Sequence, residues 1–315
     1  MSRHPVKQIL GRFGILLALG IEVVVFAVLS PFFFTAENLL NVTLQISISS
    51  IIAVGMTFVI LTAGIDLSVG SLVAFVGIVA TAALKVPHSF ALGLAFCLVS
   101  GLLAGALSGF VASFFITRFR VTPFIVTLAL MTILRGAAFA LTDGRPVWEL
   151  PDGFGAIASS RPAGIPVPTI IMLLVFAVAH VVLTRTRFGR YVYAVGGNAE
   201  AARLAGIETR NVITAVYVVC GMLSAVSGIL LASRINSGQP NSGLMYELDV
   251  IAAVVVGGTS LFGGRGSVVG TFIGSLLIGI LRNGLNLVNV GSYIQQIVVG
   301  VVILLAVMAD QMQTR

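Results

Sequence analysis

What most constrains this chain is a succession of continuous apolar runs, each about twenty residues long, the length of helix that spans a bilayer core. They lie near 13–31, 44–63, 68–84, 90–117, 123–141, 168–184, 211–233, 247–261, 267–288 and 293–309. The second, third and eighth are short or broken by glycine, so nine and eleven are the neighbouring counts. The chain is 58% hydrophobic and 9% charged, with a mean hydropathy of +1.10, more apolar surface than a soluble domain of 315 residues hides. A lipid-exposed backbone must satisfy its own hydrogen bonds, so the runs are read as helices. A closed barrel would need alternating polar and apolar residues, and these runs do not alternate. The expectation is an all-α, polytopic membrane protein of about ten transmembrane helices, forming a single transmembrane domain over 1–315.

Lys and Arg set the orientation. With ten spans and the N-terminus inside, Arg3, Lys7, Arg12, Arg118, Arg120, Arg185, Arg187, Arg190, Arg203, Arg210, Arg265 and Arg315 fall on the cytoplasmic side. Lys85, Arg145, Arg161, Arg234 and Arg282 fall outside, and Arg135 stays in a span. Twelve against five favours both termini in the cytoplasm. The basic balance therefore reflects topology and contact with lipid, and there is no soluble basic domain to hold nucleic acid. The start of the chain is basic and leads into an apolar run, like a signal peptide. That run ends in PFFFTAEN with no small-residue cleavage site, so it is read as a retained first span behind a cytoplasmic tail, residues 1–12.

Between two apolar runs lies RTRFGRYVYAVGGNAEAARLAGIETRN (185–211), with five of those arginines. Within it, NAEAARLAG reads as a very short helix closed at both ends. Asn198 caps the first turn, Glu200 faces the positive end of the helix dipole, and Gly206 supplies the stop. Ala201, Leu204 and Ala205 share one face. A helix of about seven residues does not hold itself in water, so it requires a packing partner, and in a cytoplasmic loop another protein fits.

The chain lacks the equipment for nucleotide hydrolysis. A phosphate-binding loop needs GxxxxGK[ST], yet the only lysines are Lys7 and Lys85, and neither follows a glycine loop. The run GGTSLFGGRGS (257–267) reads instead as a membrane feature that permits broken helices and close approach. No cofactor is expected. Cys97 and Cys220 lie in apolar runs as packing residues, and His4, His88 and His180 join no cluster with metal-ligand spacing.

TAGIDLSVGS (62–71) places Asp66 at a break between two apolar runs, with Ser68 nearby. Two readings stand side by side: Asp66 or Ser68 caps the next helix, or the break lines a solute path or gate. Glu22 and Arg135 lie inside spans, where a charge costs about 2.5–3.5 kcal/mol and usually faces protein or water. Nothing in the sequence shows that they meet.

Four segments together resemble the ribose-type sugar permeases of bacterial ABC importers: AVGMTFVILTAGIDLSVGSLVAF, SSRPAGIPVP, RFGRYVYAVGGNAEAARLAGI and YELDVIAAVVVGGTSLFGGRGSVVGTFIG. The resemblance runs from about residue 40 to Asp310 and implies the type II ABC importer permease fold. It also implies a second permease copy, identical or closely related, an ABC ATPase subunit that uses ATP in the cytoplasm, and a periplasmic or extracellular binding protein that delivers a monosaccharide. The loop 185–210 then becomes the ATPase-coupling segment, with Gly189, Arg190, Gly197, Asn198, Glu200, Ala201, Ala202 and Gly206 matching the family pattern. Ala199 stands where the family often carries glutamate, and Arg265 replaces a common lysine. The outer segment 143–168 departs most from the family, either as a contact for the binding protein or as a variable loop.

Sugar polarity along the path would be met by Ser, Thr, Asn and backbone carbonyls. Ser47, Ser49, Thr57, Thr127, Thr132, Asn283 and Asn286 lie in spans, and Asn283 and Asn286 share a helical face. With Asp66 and Ser68 they form the candidate path or gate. An ion-coupled secondary carrier and a channel are the other classes. The carrier would be expected to show more intramembrane acids.

Overall fold

A computed structural model describes the backbone of residues 5–314 and the side chains of 14–308. Arg3 and Arg315 lie outside the described residues, as do the side chains of Lys7 and Arg12. The described residues fold mostly into helices joined by loops: α1 (Pro5–Leu29), α2 (Ala36–Leu61), α3 (Val69–Leu84), α4 (Phe90–Arg118), α5 (Pro123–Thr142), α6 (Phe154–Ser159), α7 (Val167–Arg185), α8 (Arg187–Gly197), α9 (Ala199–Leu204), α10 (Thr209–Arg234), α11 (Tyr246–Val256), α12 (Val268–Leu287) and α13 (Ser292–Thr314). Among the described residues, six helices are long and apolar enough to cross a membrane: α2, α4, α5, α7, α10 and α12. The expected count of ten is not matched at that level. The apolar stretches of α1, α3 and α13 are shorter, and α11 has only 11 residues.

Around the central α2 the helices form an inner and an outer set. Every residue from Ser50 to Leu61 is buried, enclosed by α7, α10, α11 and α12. Thr35 caps α2, its hydroxyl accepting from the Asn38 amide at 3.3 Å. The outer helices keep apolar side chains exposed, including Leu103 and Leu107 on α4, Ile133 on α5, and Leu174 and Val178 on α7. Lipid contact accounts for that pattern.

The tightest helix pair is α4 with α10. Gly101, Gly105 and Gly109 recur every fourth residue on α4 and face Tyr217, Gly221, Ala225 and Ile229. A Cβ on Gly105 would strike the Gly221 carbonyl, and one on Gly109 the Tyr217 carbonyl. Small residues at this spacing bring two backbones together where lipid supplies no hydrophobic drive. Cys220 packs its Cα against Gly55 of α2, and Cys97 and Cys220 are both buried free thiols.

The segment 143–168 is folded onto the bundle. Leu150 and Phe154 are buried in one cluster with Ile229 and Ala232, and Ala158 is buried as well. The Ser233 hydroxyl donates to the Phe154 carbonyl at 2.7 Å and accepts from the Ala158 amide at 3.0 Å. Val147 and Gly238 exchange backbone hydrogen bonds.

Candidate functional site

The arginine-rich loop contains an element that the sequence reading missed. Before the expected short helix stands α8, an amphipathic helix of 11 residues. Thr186 caps it, accepting from the Gly189 amide at 3.2 Å. The turn from α7 into α8 leaves no room at Gly189, where a Cβ would strike the Leu183 carbonyl. Val192, Val195 and Gly196 are buried, whereas Arg187, Arg190 and Tyr191 face outward. Alternating this way at helical spacing is the signal that could have revealed α8.

Both ends of α9 are closed by local chemistry. The Asn198 side chain accepts from the Ala201 amide at 2.9 Å. At the other end Gly206 adopts φ +83°, its amide bonding to the Arg203 carbonyl and that of Ile207 to the Ala202 carbonyl, both at 3.0 Å. That pair is the Schellman closure, which needs a left-handed residue after the last turn. Ala202 is buried on the bundle, while Ala201, Leu204 and Ala205 are exposed, Leu204 at 75%. Glu200 and Arg203 pair at 2.6 Å on the surface, and this bond holds the Glu200 carboxyl below the usual carboxylate range. The result is an apolar knob beside a fixed charge pair, on a helix that cannot stand alone.

Beneath α8 three irregular segments interlock. The Gly264 amide donates to the Leu61 carbonyl, at the end of α2, at 2.9 Å. Gly196 lies against both, and a Cβ there would strike the same Leu61 carbonyl. The Tyr193 hydroxyl donates to the Gly266 carbonyl at 2.9 Å. The glycine run 257–267 is therefore clamped between α8 and the end of α2. It continues directly into α11 on one side and α12 on the other.

Asp66 sits beside this junction, 2% exposed. Its carboxylate accepts from the Ser68 amide at 2.9 Å and the Ser68 hydroxyl at 2.6 Å. Neighbouring Ile65 accepts from the hydroxyls of Thr127 and Tyr217. Asp66 thus organises the turn into α3, and Ser68 makes no side-chain cap of its own.

Midway along α2 and α12 lies a polar cavity of about 110 Å³, and most of its polar lining was not singled out from the sequence. Gln45, Ser49, Tyr246, Asp249, Ser275 and Arg282 are its polar walls. Asp249 and Arg282 form an ion pair of 2.5 Å. Arg282, expected on the outer side, lies in α12 facing α11, with most of its side chain buried. The available signal was a pair of acids, Glu247 and Asp249, entering an apolar run, with one arginine inside another. Ser49 is the single path candidate that lines this cavity. Asn283 is committed to two buried hydrogen bonds with Asn38, of 3.1 and 2.9 Å, and Asn286 accepts from Gln295 at 2.7 Å. Ser47, Thr57, Thr127 and Thr132 bond to backbone carbonyls of their own helices.

Arg135 and Glu22 do not meet. Arg135 donates to the carbonyls of Pro240 and Ser242 at 2.7 and 2.8 Å. The buried carboxylate oxygens of Glu22 have no hydrogen-bond partner among the described residues.

Residues 38–307 match the family described as branched-chain amino acid transport system / permease component. The ribose import permease protein RbsC of Escherichia coli (strain K12) is 48% identical over 94% of this chain and 92% of its own length. RbsC of Bacillus subtilis (strain 168) is 44% identical over 96% and 94%. The L-arabinose transport system permease protein AraH of Escherichia coli (strain K12) is 36% identical over 98% and 93%. No solved structure matches the chain. A multi-pass helical bundle without a nucleotide loop, matched over nearly its whole length, belongs to this family of transport-system permease components.

Proposed function

We propose that this chain is the transmembrane permease subunit of an ABC importer that moves a monosaccharide, ribose or a similar sugar, across the bacterial inner membrane. The observation that carries the reading is the exposed α8–α9 element clamped onto the glycine run. It offers a partner Ala201, Leu204 and Ala205 on one side and grips the end of α2 and the glycine run between α11 and α12 on the other. The likeness to ribose and arabinose permeases supports the cargo class.

In this reading the chain is one transmembrane domain of the type II importer fold. Ten helices cross or enter the membrane: α1 to α5, α7 and α10 to α13, with both termini cytoplasmic. A second permease copy completes the path, a partner ATPase hydrolyses the ATP, and an external binding protein delivers the sugar. Gly189, Arg190, Gly197, Asn198, Glu200, Ala201, Ala202 and Gly206 form the coupling segment. ATPase closure pushes α8 and α9, and the glycine run carries the shift into α11 and α12. The permease pair then alternates between outward- and inward-open states.

The test is uptake of labelled D-ribose by proteoliposomes holding the permease, its ATPase and the binding protein. ATP-driven uptake is expected. Ala201→Glu or Leu204→Glu should abolish uptake and ATPase co-purification while the permease still inserts, because both side chains are exposed. Uptake that tracks an ion gradient and ignores ATP depletion would place the protein among secondary carriers. Accumulation of leucine in place of ribose would replace the cargo.

A further inference from the structure

We propose that the cavity between α2, α11 and α12 is a saccharide-binding station within the permease itself, and that Asp249, Arg282 and Ser275 contact the hydroxyls of the passing sugar. This rests on the sugar-importer reading and names the groups that would meet the cargo.

The walls combine charge with unused hydrogen-bonding capacity. Arg282 spends one guanidinium nitrogen on Asp249, and its Nε is buried with no partner among the described residues. The Ser275 hydroxyl is likewise buried and unpartnered. Buried polar groups nearly always find partners, and each one left empty needs an explanation. Two on the wall of one cavity, beside an ion pair, are explained by a polar molecule that visits. Gln45 is exposed and lines the same space.

The chemistry fits a neutral polyol. A carboxylate accepts hydrogen bonds from adjacent sugar hydroxyls, a guanidinium donates to a ring or hydroxyl oxygen, and a serine hydroxyl does either. Val250 and Ile278 give the same cavity an apolar wall for the C–H face of a sugar ring. Without cargo, Asp249 and Arg282 satisfy each other. This internal competition keeps cargo affinity low, as a conduction site requires.

The station also sits where coupling can reach it. Asp249 lies in the first turn of α11 and Ser275 and Arg282 in α12. These helices touch backbone to backbone, since Cβ atoms on Gly270 and Gly274 would strike the carbonyls of Gly257 and Ala253. The glycine run that joins them is the one held by Tyr193 and Leu61. A shift of α8 therefore reaches the end of α2 and, through the glycine run, the other two walls of the cavity.

The experiment is saturation-transfer NMR with D-ribose on the detergent-solubilised permease–ATPase complex, without binding protein, together with ATP-driven uptake by the complete transporter. Wild type should give ribose signals. Ser275→Ala and Arg282→Gln should remove them and lower uptake about tenfold, the scale of one lost hydrogen bond. ATPase co-purification should stay intact, and Leu103→Ala, at an exposed position on α4 away from the cavity, should change nothing. If Arg282→Gln fails to assemble, Ser275→Ala and Ser49→Ala carry the comparison, since neither touches the ion pair. Normal uptake with no ribose signal in wild type, or signals unchanged in the variants, overturns the station and leaves the importer reading standing. No ATP-driven ribose uptake by wild type takes down both.

Discussion

Asn198 and Gly206 show how far single residues can specify structure. One side-chain oxygen and one left-handed glycine close a helix of six residues. Asn198→Ala removes the oxygen that holds the Ala201 amide, at a cost of about 1 kcal/mol to α9. Amide exchange over 199–204 should then quicken about fivefold, with the rest of the bundle unchanged. Equal protection in both proteins would mean that packing of Ala202, not the cap, holds the helix. The Glu200–Arg203 pair works differently. Its folded carboxyl pKa is depressed, so whatever it contributes is present above the ordinary carboxylate range and is lost as pH falls through the lowered value. Both groups are exposed, and the pair fixes the local charge pattern on the surface of α9.

At the scale of elements, contact distance explains what composition does not. The α4–α10 interface depends on Gly105 and Gly221 lying carbonyl to Cα, with no volume to spare. Gly105→Val should lower the melting temperature of the purified permease by an amount worth about 1–3 kcal/mol, the usual penalty for overpacking. Gly136→Val, on α5 with nothing within 4 Å, should leave it unchanged. Similar melting of the two variants would rule out the glycine stripe as the origin of that packing. The same logic applies to α8, whose Gly196 could not be larger without displacing the glycine run.

Across the whole molecule, long-range bonds tie irregular segments to the helices. Arg135 on α5 holds the carbonyls of Pro240 and Ser242, in the connection from α10 to α11. Arg135→Met frees both, and each is a hydrogen bond to a charged donor worth about 1.5–3 kcal/mol. Thermal unfolding should shift down accordingly, protease should cut within 236–245 sooner, and Arg135→Lys should recover part of the loss. An unshifted transition with unchanged cleavage would show that the connection holds itself.

The sequence by itself determined the apolar runs, the caps of α9, the break at Asp66 and the family. Each is written in neighbouring residues, where hydropathy and capping chemistry act over a few positions. It did not determine which face of each helix turns inward. Lipid tails and a protein interior are equally apolar, so a membrane helix carries little amphipathic phase to read. The polarity of Asn283 and Asn286 is visible in the sequence, whereas their partners Asn38 and Gln295 are not. Only tertiary structure brought Asp249 to Arg282, and Gly196 to Leu61 and Gly264. These contacts join residues far apart in sequence, and their geometry exists once helix rotation and depth are fixed by backbone packing. The capped loop 185–210 was therefore legible as a local oddity, whereas the cavity between α2, α11 and α12 appeared only in three dimensions.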